Sequence, residues 1–212
     1  VVRDYIAYEN VHNGKKLSLV FPELKNLEAK SQSAVVSIEV QDSELCPKYA
    51  GITISGVEVK PSPAWLQKRL RAVGLSPINN IVDVTNFVMR ELGTPLHAFD
   101  AAELNGKIVV KTATSGEKFV TLDGVERTLS ETNLMITNGD KNLCIAGVYG
   151  GLDSGVKDTT TTVFIESAYF NPVSVRKTAK EHGLTTDASF RFERGVDPAL
   201  TEYALRRCAS LI

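Results

Sequence analysis

Cysteine and histidine are both scarce in this sequence of 212 residues, with three of each. The cysteines, Cys46, Cys144 and Cys208, form no Cys-x-x-Cys pair. They therefore predict buried thiols in a reducing compartment and argue against a disulfide framework or a zinc site. The histidines are too dispersed to predict a metal cluster, so we expect no bound metal.

A net positive charge and long apolar runs are missing as well. The formal net charge is −1, which excludes a global positive field but leaves room for a local basic patch that holds one nucleic-acid end. No apolar run has membrane-spanning length and no signal peptide is present, so we expect no membrane partner. The chain begins with Val1 and its two methionines are internal, which suggests a piece of a larger polypeptide.

What is present indicates a globular fold, since 43% of the residues are hydrophobic and 23% are charged. Residues 1–33 are interpreted as the tail of a preceding module and a polar linker, and residues 34–212 as the main domain. Apolar alternation predicts strands between residues 34 and 59. More strands are predicted between 107 and 167, with turns at Asp123-Gly124 and Asn138-Gly139.

The helices are predicted from their terminal residues. Ser62 is expected to cap a helix that has Pro63 at its first position, and Asn80 to cap a helix that ends at Gly93. Asn171-Pro172 and Asp197-Pro198 predict the starts of two further helices. Because strands and helices alternate without regular βαβ units, the predicted class is α+β (mixed), with two β-sheets.

Reactive polar side chains are concentrated in three stretches, among glycines and aromatic residues. The stretches are 79–86 running on to 95–100, 147–151 with 164–168, and 185–198. No other part of the chain has this density of functional groups.

In this order, and together with Thr121-Leu122-Asp123-Gly124, these motifs resemble the B3/B4 domain of the bacterial phenylalanyl-tRNA synthetase β subunit. The resemblance covers most of residues 34–212 and implies a layered sandwich of two β-sheets with flanking helices. It implies hydrolysis of tyrosine wrongly attached to tRNA(Phe), in a cytoplasmic (αβ)₂ assembly whose α subunit activates the amino acid. It implies no cofactor in this fragment, with ATP and Mg²⁺ expected only for the full synthetase.

The resemblance also carries the family's editing residues over one by one. The catalytic candidates are Thr85 and Asn86 of a V-T-N motif, His97 of a P-x-H-A-F-D motif and Thr186 of a T-D-A-S motif. The substrate-binding candidates are Glu166, Gly147, Gly150, Gly151, Ala188 and Ser189. Phe87 and Leu96 depart from the family's frequent tyrosine and methionine, and neither departure touches a matched polar residue.

Basic residues near these motifs are expected to contact the acceptor end of the tRNA. They are Arg176, Lys177, Lys180, Arg191 and Arg194. For Glu193 and Asp197 we instead expect an internal ion-pair network. Tyr49, Trp65 and the phenylalanines are expected in the core.

The chemistry explains why such residues are needed. A pocket for phenylalanine rejects tyrosine only ~10²-fold, so a second site must recognise the phenolic hydroxyl. Glu166 follows an apolar strand and could accept a hydrogen bond from that hydroxyl, beside the small Gly150 and Ala188. His97 could act as a general base or hold the terminal adenosine, and the residues do not decide between these roles. Because an ester is already activated, a water placed by polar side chains suffices for hydrolysis, and a full nucleophilic triad is not required.

Two alternatives to an editing domain remain open. One is a non-catalytic module that docks tRNA or the partner subunit, although the intact set of Thr85, Asn86, His97 and Glu166 favours editing. The other is a freestanding editing protein, which is disfavoured because both ends of the sequence have the character of cut edges.

Overall fold

The computed structural model describes residues 2–24, 27 and 36–212. The predicted polar linker at residues 28–33 lies outside the described residues. In chain order the described elements are α1 (Val2–His12), β1 (Ser37–Val40), β2 (Lys48–Ser55), α2 (Ala64–Ala72), α3 (Asn80–Leu92), β3 (Leu96–Asp100), a 3₁₀ turn (Ala101–Leu104), β4 (Lys107–Thr112), β5 (Lys118–Val120), β6 (Glu126–Thr128), β7 (Leu134–Thr137), β8 (Asn142–Ile145), β9 (Tyr149–Gly150), β10 (Thr162–Tyr169), α4 (Pro172–Glu181), α5 (Asp187–Phe192), a second 3₁₀ turn (Pro198–Leu200) and α6 (Thr201–Leu211).

The described strands form two main sheets and one small hairpin sheet. The larger sheet has the order β1-β4-β7-β8-β9, with β1 and β4 parallel and the other pairs antiparallel. The second has the antiparallel order β2-β10-β3, and β5 pairs with β6. The α+β class is therefore confirmed, and the hairpin around Asp123-Gly124 is an addition to the two expected sheets.

The three-stranded sheet is the middle layer of the fold. Successive side chains of a strand point to opposite faces, and β10 shows this clearly. Phe164 and Ala168 belong to the core that this sheet shares with the five-stranded sheet. Val163 and Ile165 belong to a second core, which is completed by buried residues of α2, α3 and α6. This arrangement is the layered sandwich that was expected.

Two helices begin one residue away from the predicted position. The cap of α3 is Asn79, whose side chain accepts hydrogen bonds from the amides of Ile81 and Val82. The cap position of α2 is Pro63, because the Ser62 hydroxyl instead donates to the buried Asp83 carboxylate at 2.5 Å. At the other end of α3, Gly93 has φ 82° and ends the helix as predicted.

Asn171 and Asp197 do cap the elements that follow them. Asp197 caps the second 3₁₀ turn, however, and α6 itself begins at Thr201. The expectation that Tyr49, Trp65 and the phenylalanines are in the core is wrong for Trp65 and Phe190, which are each 48% exposed, and for Phe21, which is 38% exposed. Two elements that were not predicted, β3 and α5, both carry candidate site residues.

No helix in the described parts of the chain is long and apolar enough to span a membrane.

Candidate active site

The centre of the candidate site is Glu166, a carboxylate on the central strand β10. It lies between Phe164 and Ala168, so strand alternation turns its side chain toward the core between the two main sheets. Only 5% of the residue is exposed. An ionised carboxylate in such an apolar layer is costly unless it is hydrogen-bonded, so its hydrogen-bond partners decide its charge state.

His97 is the cross-strand neighbour of Glu166. It lies on β3 and is paired in register with Glu166, so the two side chains share one face of the sheet. Its ring packs edge-to-face on Phe99, with 4.4 Å between the centroids. The residue as a whole is half-buried, whereas Nε2 is buried and has no hydrogen-bond partner among the described residues.

Gly150 covers the other side of the imidazole. A Cβ atom at this position would lie 3.3 Å from Cε1 and 3.8 Å from Nε2 of His97. The missing side chain therefore lets the backbone at Gly150 lie close to the imidazole and its unpaired nitrogen. His97, Gly150 and Glu166 are the predicted site residues that the fold brings together most directly.

Tyr49, which was expected only as a core residue, is also a member of the site. Its hydroxyl donates to Oε2 of Glu166 at 2.6 Å. The signal in the sequence is weak, since it is only a tyrosine two residues before a glycine in a short apolar segment. Its importance depends on the pairing of β2 with β10, which no local pattern reveals.

Burial controls the ionisation of these groups. It raises the pKa of Glu166 from 4.5 to about 7, and the hydrogen bond from Tyr49 opposes that rise. Burial also lowers the pKa of His97 from 6.5 to about 4, so its imidazole is neutral near pH 7. The Tyr49 pKa is raised well above 10 by burial and then by the neighbouring carboxylate, so its phenol keeps its proton.

Thr85 and Asn86 lie on α3, which packs on the opposite face of the three-stranded sheet from Glu166. The Thr85 hydroxyl donates to the Val82 carbonyl at 2.7 Å, within its own helix. No hydrogen bond joins either residue to Glu166 or His97 in the described part of the chain. The half-buried Asn86 is one helical turn before Arg90, on the side of α3 that meets α5.

Arg90 connects that side of α3 to α5. Its guanidinium contacts the Asp187 carboxylate at 2.7 Å, and Arg191 contacts the other oxygen of the same carboxylate at 3.0 Å. Sequence reasoning missed Arg90, because its partner is 97 residues away in the chain.

The first turn of α5 is held by its own hydroxyl groups. Thr186 and Ser189 form a reciprocal capping box, and the Thr186 hydroxyl also donates to the Val148 carbonyl at 3.0 Å. These contacts attach α5 to the turn before Gly150. Ala188, on the same helix, packs against the core between the sheets.

The other two candidate glycines face away from His97. A Cβ at Gly147 would meet the Phe170 ring at 2.9 Å and the Phe192 ring at 3.1 Å. A Cβ at Gly151 would meet the Leu143 carbonyl oxygen at 2.7 Å. Gly151 also belongs to the lining of a cleft of about 480 Å³, which includes neither His97 nor Glu166.

The five basic candidates fall into two groups. Arg176, Lys177 and Lys180 are exposed on α4 and form no ion pair with another described residue. Arg191 is paired with Asp187, whereas Arg194 is paired with Glu193 and stacks on Phe190 at 3.5 Å from the ring centroid. Glu193 is therefore ion-paired, but only with its chain neighbour Arg194. Asp197 forms no ion pair among the described residues and instead caps the second 3₁₀ turn, so the expected network that includes it is not present.

No three His, Cys, Asp or Glu side chains are grouped to hold a metal ion within the described residues. Cys46 and Cys144 lie near Glu166, and burial followed by that carboxylate raises the pKa of both thiols, for Cys46 to about 12. They are therefore neutral, weakly polar walls of the site.

The sequence is similar to a defined domain family and to one group of proteins. The model of the B3/4 domain matches residues 45–212. The chain is 53% identical over 213 residues to the phenylalanine–tRNA ligase beta subunit of Bacteroides fragilis, an alignment that covers 100% of this chain and 26% of that protein. It is 54% identical over 200 residues to the Bdellovibrio bacteriovorus protein of the same name, covering 94% of this chain and 24% of that protein.

Among solved structures, an N-terminal fragment of the phenylalanyl-tRNA synthetase beta-subunit from Pyrococcus horikoshii matches with a TM-score of 0.47 and 15% identity, over 77% of this chain and 52% of that one. The chain spans about a quarter of the length of the curated relatives it matches.

Proposed function

Since the chain belongs to the B3/4 domain family, we propose that it is the editing domain of a phenylalanine–tRNA ligase β subunit. Its reaction is hydrolysis of the ester that links tyrosine to tRNA(Phe). The whole protein would act in the cytoplasm with an α subunit, in an (αβ)₂ assembly. Amino-acid activation with ATP and Mg²⁺ would belong to other parts of that assembly.

The observation that carries this proposal is the state of the Glu166 carboxylate. One oxygen already accepts a hydrogen bond from a phenol, that of Tyr49, at 2.6 Å. The other oxygen, Oε1, accepts no hydrogen bond from the described residues and is not among the fully buried unpaired atoms. The site therefore has an acceptor of the right chemistry ready for a second phenolic hydroxyl.

Such an acceptor discriminates in the direction that editing needs. A site built to bond a hydroxyl rejects the analogue that lacks it by up to ~10⁴–10⁵, because its own polar group is then left buried and unpaired. Tyrosine satisfies Oε1 of Glu166 and phenylalanine does not. A site with this acceptor thus favours the wrong amino acid for hydrolysis and spares the right one.

The hydrolytic step would depend on His97. Its neutral imidazole has an unpaired Nε2 that can accept a proton from a water molecule or hold the ribose or base of the terminal adenosine. In both roles the substrate would meet His97 beside Gly150, whose missing side chain leaves the backbone close to the ring.

Backbone amides of the glycine turn would stabilise the developing oxyanion, a contribution of about 10²–10³-fold in rate. The amides of Val148 and Gly151 already donate to the Ile145 and Leu143 carbonyls, so they are not available for this. The hydroxyls of Thr85, Thr186 and Ser189 also donate to backbone carbonyls, so we propose that they shape the site. Asn86 remains the candidate whose side-chain amide has no partner among the described residues.

The exposed cations of α4 would bind the phosphates of the tRNA acceptor end. Arg176, Lys177 and Lys180 lie without ion-pair partners among the described residues, whereas Arg191 and Arg194 are engaged within their own segment. We therefore propose that α4 supplies most of this domain's charge contacts, with the two arginines contributing less.

The test is deacylation by the assembled ligase. Tyrosyl-tRNA(Phe) and phenylalanyl-tRNA(Phe) are incubated with wild-type enzyme, and the released amino acid is measured. Rapid release of tyrosine but not phenylalanine is expected. Tyrosyl-tRNA(Phe) that binds without being hydrolysed faster than in buffer would instead support the non-catalytic docking module.

A further inference from the structure

We propose that Tyr49 is a positioning residue of this site: its hydroxyl holds Oε2 of Glu166 and thereby presents Oε1 to the phenol of the substrate. The inference rests on the proposed editing function. It assigns part of the tyrosine specificity to a residue that does not touch the substrate hydroxyl.

The strand register explains why Tyr49 has this role. The residue of β2 directly opposite Glu166 is Gly51, which has no side chain to offer, and the Phe164 ring lies over it. Tyr49 is two residues along the same strand, opposite Ala168, and shares the face of Glu166. From there its long side chain reaches the carboxylate diagonally, at 2.6 Å.

The other groups around Glu166 cannot replace this contact. The titratable neighbours are the thiol of Cys46 before β2, the thiol of Cys144 on β8 and the imidazole of His97 on β3. None carries a positive charge near pH 7, because burial keeps all three neutral. The Tyr49 hydrogen bond is therefore the contact that favours the ionised carboxylate against its burial.

The contact also fixes the direction of the carboxylate. A hydrogen bond at Oε2 limits rotation of the carboxyl group, so Oε1 keeps one direction. Without the Tyr49 hydroxyl, the carboxyl group would be neutral over a wider pH range and free to turn. A neutral, turning carboxyl group distinguishes tyrosine from phenylalanine less well, because hydrogen bonds to ionised acceptors are about twice as strong.

The experiment measures deacylation of tyrosyl- and phenylalanyl-tRNA(Phe) by the assembled ligase with Tyr49→Phe, across a pH range that spans the Glu166 pKa of about 7. The tyrosine-to-phenylalanine rate ratio should fall about tenfold or more, mainly through KM for the tyrosyl ester. The pH midpoint of the ratio should move upward by about one to two pH units. An unchanged ratio and midpoint would overturn the proposal.

Tyr169→Phe is the matched control. Tyr169 is three residues from Glu166 on β10, is also half-buried, and its hydroxyl has no hydrogen bond in the described residues. Loss of the Tyr169 hydroxyl should leave the tyrosine-to-phenylalanine rate ratio and its pH midpoint unchanged. Equal effects of the two variants would assign the result to general packing and would also overturn the proposal.

A second substitution keeps the ring and the hydroxyl, so this test does not require the protein to fold without the hydrogen bond between Tyr49 and Glu166. Replacing Tyr49 with a ring-fluorinated tyrosine makes the phenol a stronger donor, and the midpoint should then move downward. A midpoint that stays in place would contradict the role of the hydroxyl.

Infrared titration separates this inference from the proposed function. The band of the protonated Glu166 carboxyl group, assigned by its loss in Glu166→Gln, should persist to higher pH in Tyr49→Phe. If the wild-type ligase does not release tyrosine, the editing proposal fails while the infrared shift still tests the contact. If it does release tyrosine and the band does not shift, the Tyr49 proposal alone fails.

Discussion

Replacing Glu166 by glutamine should change how the stability of the protein depends on pH, because Glu166 and His97 act in opposite directions. Burial raises the pKa of Glu166 from 4.5 to about 7. The folded protein therefore holds a proton that the unfolded chain releases. The resulting contribution to the free energy of unfolding is present below about pH 4.5 and is lost as the pH rises to about 7.

His97 shows the reverse dependence. Burial lowers its pKa from 6.5 to about 4, so the unfolded chain binds a proton that the folded protein excludes. This contribution is present above about pH 6.5 and is lost as the pH falls to about 4. Each pKa moves by about 2.5 pH units, equivalent to about 3 kcal/mol.

In the wild-type protein the two contributions nearly cancel between about pH 4.5 and 6.5. In Glu166→Gln only the histidine contribution remains, so the free energy of unfolding should rise by about 3 kcal/mol across that interval, relative to wild type. Urea unfolding followed by circular dichroism at a series of pH values measures this difference. Glu131→Gln, which removes an exposed carboxylate outside the site, is the control.

The refuting result is simple to recognise. If the wild-type and Glu166→Gln curves run parallel from pH 4.5 to 6.5, Glu166 does not titrate differently in the folded and unfolded chains. The carboxylate would then be solvated, and the argument for a buried phenol acceptor would lose its basis.

Three further predictions concern Gly150, Gly51 and the exposed cations of α4. Gly150→Ala should slow tyrosyl-tRNA(Phe) deacylation, because its Cβ would lie 3.3 Å from the His97 ring, whereas Gly155→Ala, with nothing within 4 Å, should not. Equal rates for the two variants would contradict a role for the close contact between Gly150 and His97. Gly51→Ala should destabilise the fold by at least about 1–3 kcal/mol, because its Cβ would overlap the Phe164 ring; an unchanged urea midpoint would contradict that packing. Neutralising the three α4 cations, Arg176, Lys177 and Lys180, should weaken tRNA binding. The slope of log affinity against log salt concentration should fall by about one phosphate contact per cation, and an unchanged slope would show that α4 is not part of the interface.

The sequence predicts most of the layers because their patterns are local. The apolar positions Ile81, Val84 and Val88 follow the helical period and are buried against the sheet. The apolar run before Glu166 predicts a strand there, but β10 continues to Tyr169, so Glu166 lies inside the strand and not at its end. Motif order alone was enough to identify the family, and the domain model confirms it.

What the sequence does not predict depends on contacts between distant segments. Strand β3 is five residues long and directly follows Pro95, so no alternating run is long enough to reveal it. Helix α5 is six residues long, and Ser189 takes the capping-box position where glutamate or glutamine is the usual signal. Tyr49 packs against the core as expected, but its hydrogen bond to Glu166 could not be predicted because the two residues are 117 apart in the chain.

The most direct measurement is a structure of the ligase bound to a non-hydrolysable tyrosyl analogue of the tRNA 3′ end. The account predicts the phenolic oxygen of the analogue at about 2.5–3.0 Å from Oε1 of Glu166, with the Tyr49 hydroxyl still on Oε2. A tyrosyl ring that lies elsewhere, or whose hydroxyl points into water, would contradict it.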